Sequence, residues 1–462
     1  MISTLALASA LLISGSTEIT VYNQGLGFVK DVRTLHLSRG QQNVVVDDVA
    51  QLIDATSVGF KCLSNPGSVS VLEQNYQYDL VSPEAILQKS LGKRIRFTRS
   101  MGNQKESVEG ILISSPTSVV NTGNGHEYSY NGLVIKTDDG RIILSPAGEI
   151  EVLAMPEGLI SKPSLLWQVD SSTEQDAKME LSYLTKGMSW TANYVMTLGS
   201  GTVADIQGWV SLNNQSGMGF QDATLKLMAG EVNVVKDEVL LEPVRSSWVD
   251  NQPRILAGEA MKEESFFEYH LYTIGRPASV RNKETKQLSL LEGLNVPFKK
   301  LVTFEASGGP GEGDLESAVK IKFVNNKKSN LGMPMPAGKV RLYQRDASGS
   351  LQFLGEDSIK HTPTDEKLSL IVGKSFDIKA NHKRTSYTVT GKHSARSGYE
   401  VEFRNRKKEA ATVYFFQHIG GDWKMVSNSD PFVKEDSGTA VFEVKLKAGE
   451  VRTIKFGFDS KR

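Results

Sequence analysis

The stretch VSLNN, residues 210–214, recurs in altered form as IKFVN at 321–325 and as VEFRN at 401–405. Each copy reads apolar, any residue, apolar, any residue, asparagine, and polar turn residues follow it. Alternation puts the two apolar side chains on one face of a β-sheet, and the asparagine can hydrogen-bond locally to start a turn. The three copies therefore predict two or more β-sandwich units built on similar hairpins.

Most of the remaining sequence also reads as short strands separated by turn residues, so the predicted fold class is mainly β. The clearest exception is SPEAILQKSLG, 82–92, where Ser82 can cap a helix and Gly92 can end it. Asp139-Gly140 lies between two alternating runs and predicts a hairpin turn. We therefore expect one helix in an otherwise β-rich chain.

At 462 residues the chain is long for one compact core, so several domains are expected. In order, we predict a signal peptide over 1–16, an N-terminal β domain over 17–80, a small β-barrel-like domain with a leading helix over 81–156, a β-rich domain over 157–305, a hairpin or sandwich continuation over 315–379, and a C-terminal Ig-like β-sandwich over 380–462. Five strands expected within 81–156 favour an SH3-like or OB-like barrel, and a partly open sheet covered by the helix is the alternative. The mixed-charge stretch 236–264 and the glycine-rich ASGGPGEGD, 306–314, are the expected boundaries.

The N-terminal sequence MISTLALASALLISGSTE has the character of an export signal. Residues 5–13 form an uncharged apolar run, and small residues at 14–16 offer a cleavage site, although no Lys or Arg precedes the run. A short buried strand is the alternative interpretation. Because no later segment is apolar and long enough to span a bilayer, we expect a periplasmic or extracellular protein. The single cysteine, Cys62, excludes an internal disulfide.

The balance of charge argues against a nucleic-acid partner. The chain has 53 Lys and Arg residues and 53 Asp and Glu residues, which gives a formal net charge of zero. Such a chain has no long-range positive field to gather phosphates. We therefore expect a protein or glycan partner.

One stretch, TKGMSWTANYV at 185–195, comes within one residue of the G-x-S-x-G turn that presents a hydrolase nucleophile. That turn needs glycine on both sides, and Thr191 replaces the second glycine. The residues that follow alternate as in a strand, so Ser189 is predicted to be structural. The sequence GKS at 373–375 resembles the end of a phosphate-binding loop, but Leu368 stands where that loop needs its first glycine.

The seven histidines are dispersed, and two of them have acidic neighbours. HTPTDE places His361 near Asp365 and Glu366, which predicts either a metal site or, as we favour, a surface turn between strands. FFEYHLYTI puts Glu268 and His270 on one face of a predicted strand, where they could act as an acid–base pair or form a sheet-edge contact. No H-x-x-x-H occurs, and the lone cysteine excludes a cysteine zinc site. We therefore assign no catalytic, cofactor-binding or metal-ligating residue, and we predict no cofactor.

The five tryptophans could form a platform on which sugars stack. They are Trp167, Trp190, Trp209, Trp248 and Trp423. Trp190 and Trp209 lie within apolar alternation, where a core role is expected. Trp248 has polar neighbours and is predicted to be exposed.

Longer stretches carry a family resemblance. LSYLTKGMSWTANYVMTL at 181–198, ADIQGWVSLNNQSGMGFQDATLKLMAGEV at 204–232 and the run 330–378 resemble the bacterial family called domain of unknown function 4139, which includes the mucoidy-inhibitor-A-like proteins. The resemblance covers about residues 160–460. It implies a largely β, exported or envelope-associated protein without an established catalytic centre. Longer relatives carry a heptad coiled coil before this domain, whereas 81–156 here reads as a small barrel.

Three functions follow from the sequence, in order of preference. The first is an exported, non-catalytic interaction protein of the cell envelope. The second is a carbohydrate-binding protein or glycan-active enzyme, in which paired carboxylates such as Glu356, Asp357, Asp365 and Glu366 would act. The third is a metal-dependent activity at His361 or His270.

Overall fold

A computed structural model describes residues 13–77, 81–101, 104–114, 117–122, 125–130, 133–144, 149–154, 156, 159–160, 162–199, 201–234, 261–308 and 312–461. Within these ranges the chain is mainly β with one α-helix, and the predicted fold class is confirmed. The predicted leader, for the most part, and Trp248 lie outside the described residues.

The strands and the helix follow one another closely along the chain. The first are β1 (Ile13–Tyr22), β2 (Leu26–Leu37), β3 (Gly40–Val46), β4 (Gly59–Cys62) and β5 (Val69–Gln77). Next come α1 (Pro83–Lys89), β6 (Arg94–Met101), β7 (Gln104–Leu112), β8 (Thr117–Thr122), β9 (Gly125–Tyr130), β10 (Val134–Thr137), β11 (Ile142–Leu144) and β12 (Glu149–Val152). The central part forms β13 (Ser164–Ser171), β14 (Gln175–Lys186), β15 (Met188–Leu198), β16 (Val203–Asn214), β17 (Phe220–Ala229), β18 (Lys262–Phe266), β19 (Tyr269–Thr273), β20 (Ala278–Val280) and β21 (Glu284–Pro297).

The last part of the chain contributes thirteen further strands. They are β22 (Lys299–Ser307), β23 (Glu312–Leu315), β24 (Ser317–Val324), β25 (Gly338–Arg345), β26 (Leu351–Ile359), β27 (Lys367–Gly373), β28 (Ile378–Gly391), β29 (Ser394–Asn405), β30 (Ala411–His418), β31 (Asp422–Asn428), β32 (Phe432–Asp436), β33 (Thr439–Leu446) and β34 (Val451–Lys461). Two short 3-10 helices, Ala55–Ser57 and Lys327–Ser329, lie in connections.

The N-terminal strands do not form a sheet of their own. Sheet 1 has the order β18-β19-β17-β1-β2-β14-β4, and β3 and β5 flank β13 in sheet 3. Sheet 2, with the order β21-β16-β15-β25-β26, shares one buried core with both. The predicted division into domains at 17–80 and 157–305 stays a prediction, but these two stretches of chain share sheets and a core.

The segment predicted as a barrel contains the expected helix and strands. Its sheet 4 has the order β11-β10-β7-β6-β12, and β8 pairs with β9. Ser82 accepts a hydrogen bond from the Ala85 backbone N–H at 3.0 Å, as the capping prediction requires. Leu87 of α1 packs against the small core of sheet 4. Within the described residues β11 and β12 are not paired with each other, and the choice between a small barrel and a partly open sheet stays a prediction.

Two sheets face each other in the C-terminal sandwich. Sheet 5 has the order β27-β24-β22-β30-β33-β32, and sheet 6 has the order β23-β28-β29-β34-β31. The sandwich therefore uses β22, β23, β24 and β27, which precede residue 380. Its core is rich in aromatic rings. The centroid of the Phe415 ring lies 6.0 Å from that of Phe403 and 6.2 Å from that of Phe442. Each buried ring of this kind stabilises the fold by about 2–3 kcal/mol.

The three asparagines that end the repeated motif are all fully buried. Asn214, Asn325 and Asn405 have no exposed surface, and each follows or ends a core strand. The Asn405 amide donates to the carbonyls of Glu409 and Lys447, at 2.9 and 2.8 Å. Its oxygen accepts from the Lys407 backbone N–H at 3.1 Å. The side chain thus closes the following turn and ties it to the end of β33.

The other two asparagines repeat this arrangement. The Asn214 amide donates to the Met218 and Arg281 carbonyls, and its oxygen accepts from the Ser216 N–H. The Asn325 amide donates to the Met333 and Pro363 carbonyls, and its oxygen accepts from the Gly332 N–H. The predicted local role of the asparagine is confirmed, and each side chain also holds a second segment. We call these side chains the asparagine clamps.

We expect the Asn405→Ala variant to lose about 3 kcal/mol of unfolding free energy, at about 1 kcal/mol for each of its three hydrogen bonds. Chemical denaturation measures this loss. The matched control is Asn381→Ala on the same sheet, where the amide meets only the exposed Asp314 carboxylate. That variant should stay within about 0.5 kcal/mol of wild type. Equal losses in the two variants would contradict the clamp.

Candidate functional site

The structure corrects the predicted strand around His270. Residues 267 and 268 form a turn between β18 and β19, so Glu268 and His270 are not on one continuous strand. Phe267 adopts a left-handed φ of 55° in this turn. The acidic partner of His270 is Glu263 of the paired strand, with 2.7 Å between His270 Nδ1 and Glu263 Oε1. The predicted sheet-edge contact exists, but with a different carboxylate.

His361 lies in the connection between β26 and β27, as the surface-turn interpretation predicts. Its Nδ1 accepts a hydrogen bond from the Ala337 backbone N–H at 3.2 Å. Within the described residues no hydrogen bond or ion pair joins it to Asp365 or Glu366. Those two residues instead exchange backbone hydrogen bonds with Asn325: the Asp365 N–H donates to its carbonyl, and the Glu366 carbonyl accepts from its N–H.

His361 and His270 influence each other electrostatically. Burial lowers the pKa of His361, while Glu231 raises this pKa and His270 lowers it. His361 and His270 are therefore close enough for the charge of one to affect the other. The sequence gives no sign of this proximity, because His270 lies in β19 and His361 in the connection after β26, far apart in the chain.

A proline-containing segment, 333–337, is joined by hydrogen bonds to the buried core on one side and to His361 on the other. The Tyr272 hydroxyl donates to the Pro334 carbonyl at 2.9 Å, and the Tyr194 hydroxyl donates to the Pro336 carbonyl at 2.8 Å. Met335 exchanges two backbone hydrogen bonds with Thr362. Because both tyrosines are buried, these two hydrogen bonds attach the segment to the core. The hydrogen bond from Ala337 to His361 attaches it at the surface.

This histidine cluster, His270 and His361, lies among side chains and backbone groups that already have hydrogen-bond partners. Within the described part of the chain, no group of three or more His, Cys, Asp or Glu side chains is arranged to hold a metal ion. The Tyr194 and Tyr272 hydroxyls already donate to carbonyls, and burial raises the pKa of both phenols. The arrangement is that of a polar cluster that fixes a loop.

We expect the protein to lose stability on acidification, because burial lowers the pKa of His361 and also that of His382 in the C-terminal core. The unfolded chain then binds protons more readily than the folded chain. The contribution of these two histidines to the free energy of unfolding is therefore fully present above pH about 6.5. It falls as the pH drops below that value. Denaturation at pH 7.5 and 5.5 measures the change.

In the same experiment His361→Asn keeps an acceptor near the Ala337 N–H but cannot titrate. We expect this variant to show a smaller loss between the two pH values than wild type. Identical losses would mean that His361 does not contribute.

The Ser189 stretch is a strand, as predicted. Ser189 is half-buried in β15 and pairs with Asn213 of β16. Gly187 makes the preceding turn with a φ of 81°, and a Cβ there would lie 2.8 Å from the Gln215 carbonyl oxygen. The GKS stretch at 373–375 is the end of a strand and not a phosphate-binding loop. Gly373 ends β27, and Lys374 forms an ion pair with Glu316 at 2.6 Å.

A polar cleft of about 580 Å³ is lined by β1, β2 and β14 of sheet 1 and by the connections at 48–49, 162–163 and 217–219. Arg33 and Asp31 form a buried ion pair at its wall, with 2.7 Å between Nε and Oδ2. Lys162 pairs with Asp48 at its mouth, at 2.8 Å. Since each of these charged groups already has a partner, the cleft has no uncompensated charge to offer a ligand.

Of the four tryptophans that the structure describes, two are buried and two are half-buried. Trp167 and Trp190 are buried, and Trp209 is half-buried. The core role is confirmed for Trp190. Trp423 is half-buried and lines a second, shallow cavity of about 560 Å³ at one end of the C-terminal sandwich. Its Nε1 donates to the Ser437 carbonyl at 2.7 Å, which fixes the ring orientation.

No family model matches the chain, and no curated protein matches it either. The resemblance to domain of unknown function 4139 therefore stays a prediction from the stretches quoted above. Across the ranges that the structure describes, no helix has both the length and the apolar character needed to cross a membrane.

Proposed function

We propose that the protein is exported and acts without catalysis, as an interaction protein of the bacterial cell envelope. Support for export comes from the apolar N-terminal run followed by small residues at 14–16. Support for binding comes from an exposed apolar strip on the edge of sheet 2.

The strip occupies the first half of β26, the last strand of sheet 2. Leu351 and Phe353 are 47% and 57% exposed, and they lie on the same face of the strand. The Phe353 ring is fixed by Tyr343, with 5.5 Å between ring centroids. Further along β26, Asp357 accepts a hydrogen bond from the Ile371 N–H at 2.7 Å, so β27 covers that half of the edge.

An uncovered apolar edge strand is a hazard, because its free backbone groups can template pairing with another chain. Natural proteins usually protect such edges with charged residues, prolines or bulges. An extended segment of a partner protein can pair with the same backbone groups and place its side chains against Phe353. The strip therefore favours binding of a partner strand.

We expect Phe353→Lys to reduce capture of the partner about tenfold or more, the size of effect seen when a central aromatic anchor is lost. A tagged mature protein would be cross-linked in its host cells and purified. The proteins that copurify with it would be quantified by mass spectrometry. The matched control is Val433→Lys on β32, which is 68% exposed on the edge of sheet 5.

Two outcomes would contradict this proposal. One is that the same proteins copurify in the same amounts with wild type and with Phe353→Lys. The other is a protein recovered from the cytosol with residues 1–16 intact, which would remove the basis for an envelope role.

A second candidate function is glycan binding, and the half-buried Trp423 in the shallow cavity favours it. An aromatic ring held in a fixed orientation at a cavity wall can pack against the apolar face of a sugar. Absence of binding to every saccharide on a glycan array would contradict this second function.

A further inference from the structure

The inner face of sheet 6 continues past the end of the buried aromatic core. Trp423 pairs with Ser460, Ser460 with Ala395, and Ala395 with Val389, so these four side chains form one row across the sheet. The neighbouring row contains the buried Phe458 and, at its far end, Tyr387. We call the four residues of the first row, together with Tyr387, the end shelf.

The end shelf is open, although it continues the face that forms the core. Tyr387 is 55% exposed and Val389 is 68% exposed, while Trp423, Ala395 and Ser460 are half-buried. The shelf spans the three intervals between β31, β34, β29 and β28. At about 4.8 Å for each interval, its width is about 14 Å, which is room for two or three sugar rings.

A cation accompanies the aromatic ring at each end of the shelf. Lys434 Nζ lies 4.7 Å from the centre of the Trp423 ring, and Arg384 Cζ lies 4.7 Å from the centre of the Tyr387 ring. Lys461 lines the same cavity as Trp423, and Asp422 is the acidic residue there. In the part of the chain that the structure describes, none of these three cations has an ion-pair partner. The shelf therefore carries an excess of positive charge.

We propose that the end shelf binds an acidic oligosaccharide, one whose sugars carry carboxylates. This inference rests on glycan binding, the second function proposed above. The ligand's carboxylates pair with Lys434 and Arg384, and its sugar rings pack on Trp423 and Tyr387. Contacts between an exposed cation and a ring are weak, so a carboxylate can draw each cation aside and free the ring face.

A sugar polymer fits this shelf better than a nucleic acid does. The chain as a whole has no net charge and so no field to gather a polyphosphate. The shelf also offers a polar group for a sugar hydroxyl, namely the Ser460 side chain. Two rings separated by short, half-buried residues match sugar faces separated by glycosidic links.

The test uses an array of uronic-acid oligosaccharides together with their methyl-esterified, uncharged counterparts, probed with the full chain. We expect the protein to bind the charged oligosaccharides and to bind their esters at least tenfold more weakly. We expect the double variant Tyr387→Ser, Lys434→Glu to bind the charged oligosaccharides with at least tenfold lower affinity than wild type. Both substituted side chains are exposed, so the fold should survive. The matched control is Phe376→Ser, an exposed ring elsewhere with Lys379 Nζ 5.9 Å from its centre.

The outcomes that overturn the proposal are distinct. Binding to no saccharide removes glycan binding itself. Equal binding to charged and esterified oligosaccharides leaves glycan binding intact but removes the acidic class. Undiminished binding in the double variant removes the shelf as the site, and equal affinity for single-stranded DNA removes the preference for sugars.

Discussion

A buried side-chain amide must satisfy two donors and one acceptor, and this constraint organises three strand ends of the protein. Leaving any of these groups without a partner inside the fold costs about 1–3 kcal/mol. Asn214, Asn325 and Asn405 meet the requirement by bonding both to the turn that follows them and to a segment 67, 38 or 42 residues away. Each clamp thus fixes a long-range contact that alternation of apolar residues alone does not specify.

The clamp at Asn325 also positions the histidine cluster. Its amide and backbone hold Met333 on one side and the stretch 363–366 on the other. The proline segment 333–337 and His361 adjoin these two points in the chain, so Asn325 holds them together with Tyr194, Tyr272 and Thr362. Rigid support of this kind suits a protein that presents surfaces to partners. The end shelf is different, because it extends a core face beyond the buried rings, and β32 of the facing sheet meets it at Trp423.

Much of the local structure follows from the sequence. Alternation predicts β15 around Ser189, the capping residue Ser82 predicts α1, and Asp139-Gly140 predicts the turn after β10. The turn at 267–268 has no sequence signal, because it contains neither glycine nor asparagine and Phe267 takes the left-handed conformation instead. For that reason the pairing of Glu263 with His270 does not follow from the sequence.

Other features have no local signal at all. The parallel pairing of β1 with β17 joins residues about two hundred positions apart, so the sharing of sheets between the N-terminal and central segments cannot be read from either segment alone. The end shelf depends on the relative lengths of two facing sheets, which no motif encodes. The repeated asparagine is evident in the sequence, but the distant carbonyl that accepts its second hydrogen bond is not.

Hydrogen–deuterium exchange followed by mass spectrometry, comparing wild type with Asn325→Ala, tests the clamp most directly. The Gly332 amide loses its acceptor in the variant, and the two carbonyls of Met333 and Pro363 lose their donor. Faster exchange confined to 330–337 and 360–366, with protection retained over 394–458, is the result that we predict. Unchanged exchange in those two segments, or an equal loss of protection along the whole chain, would contradict it.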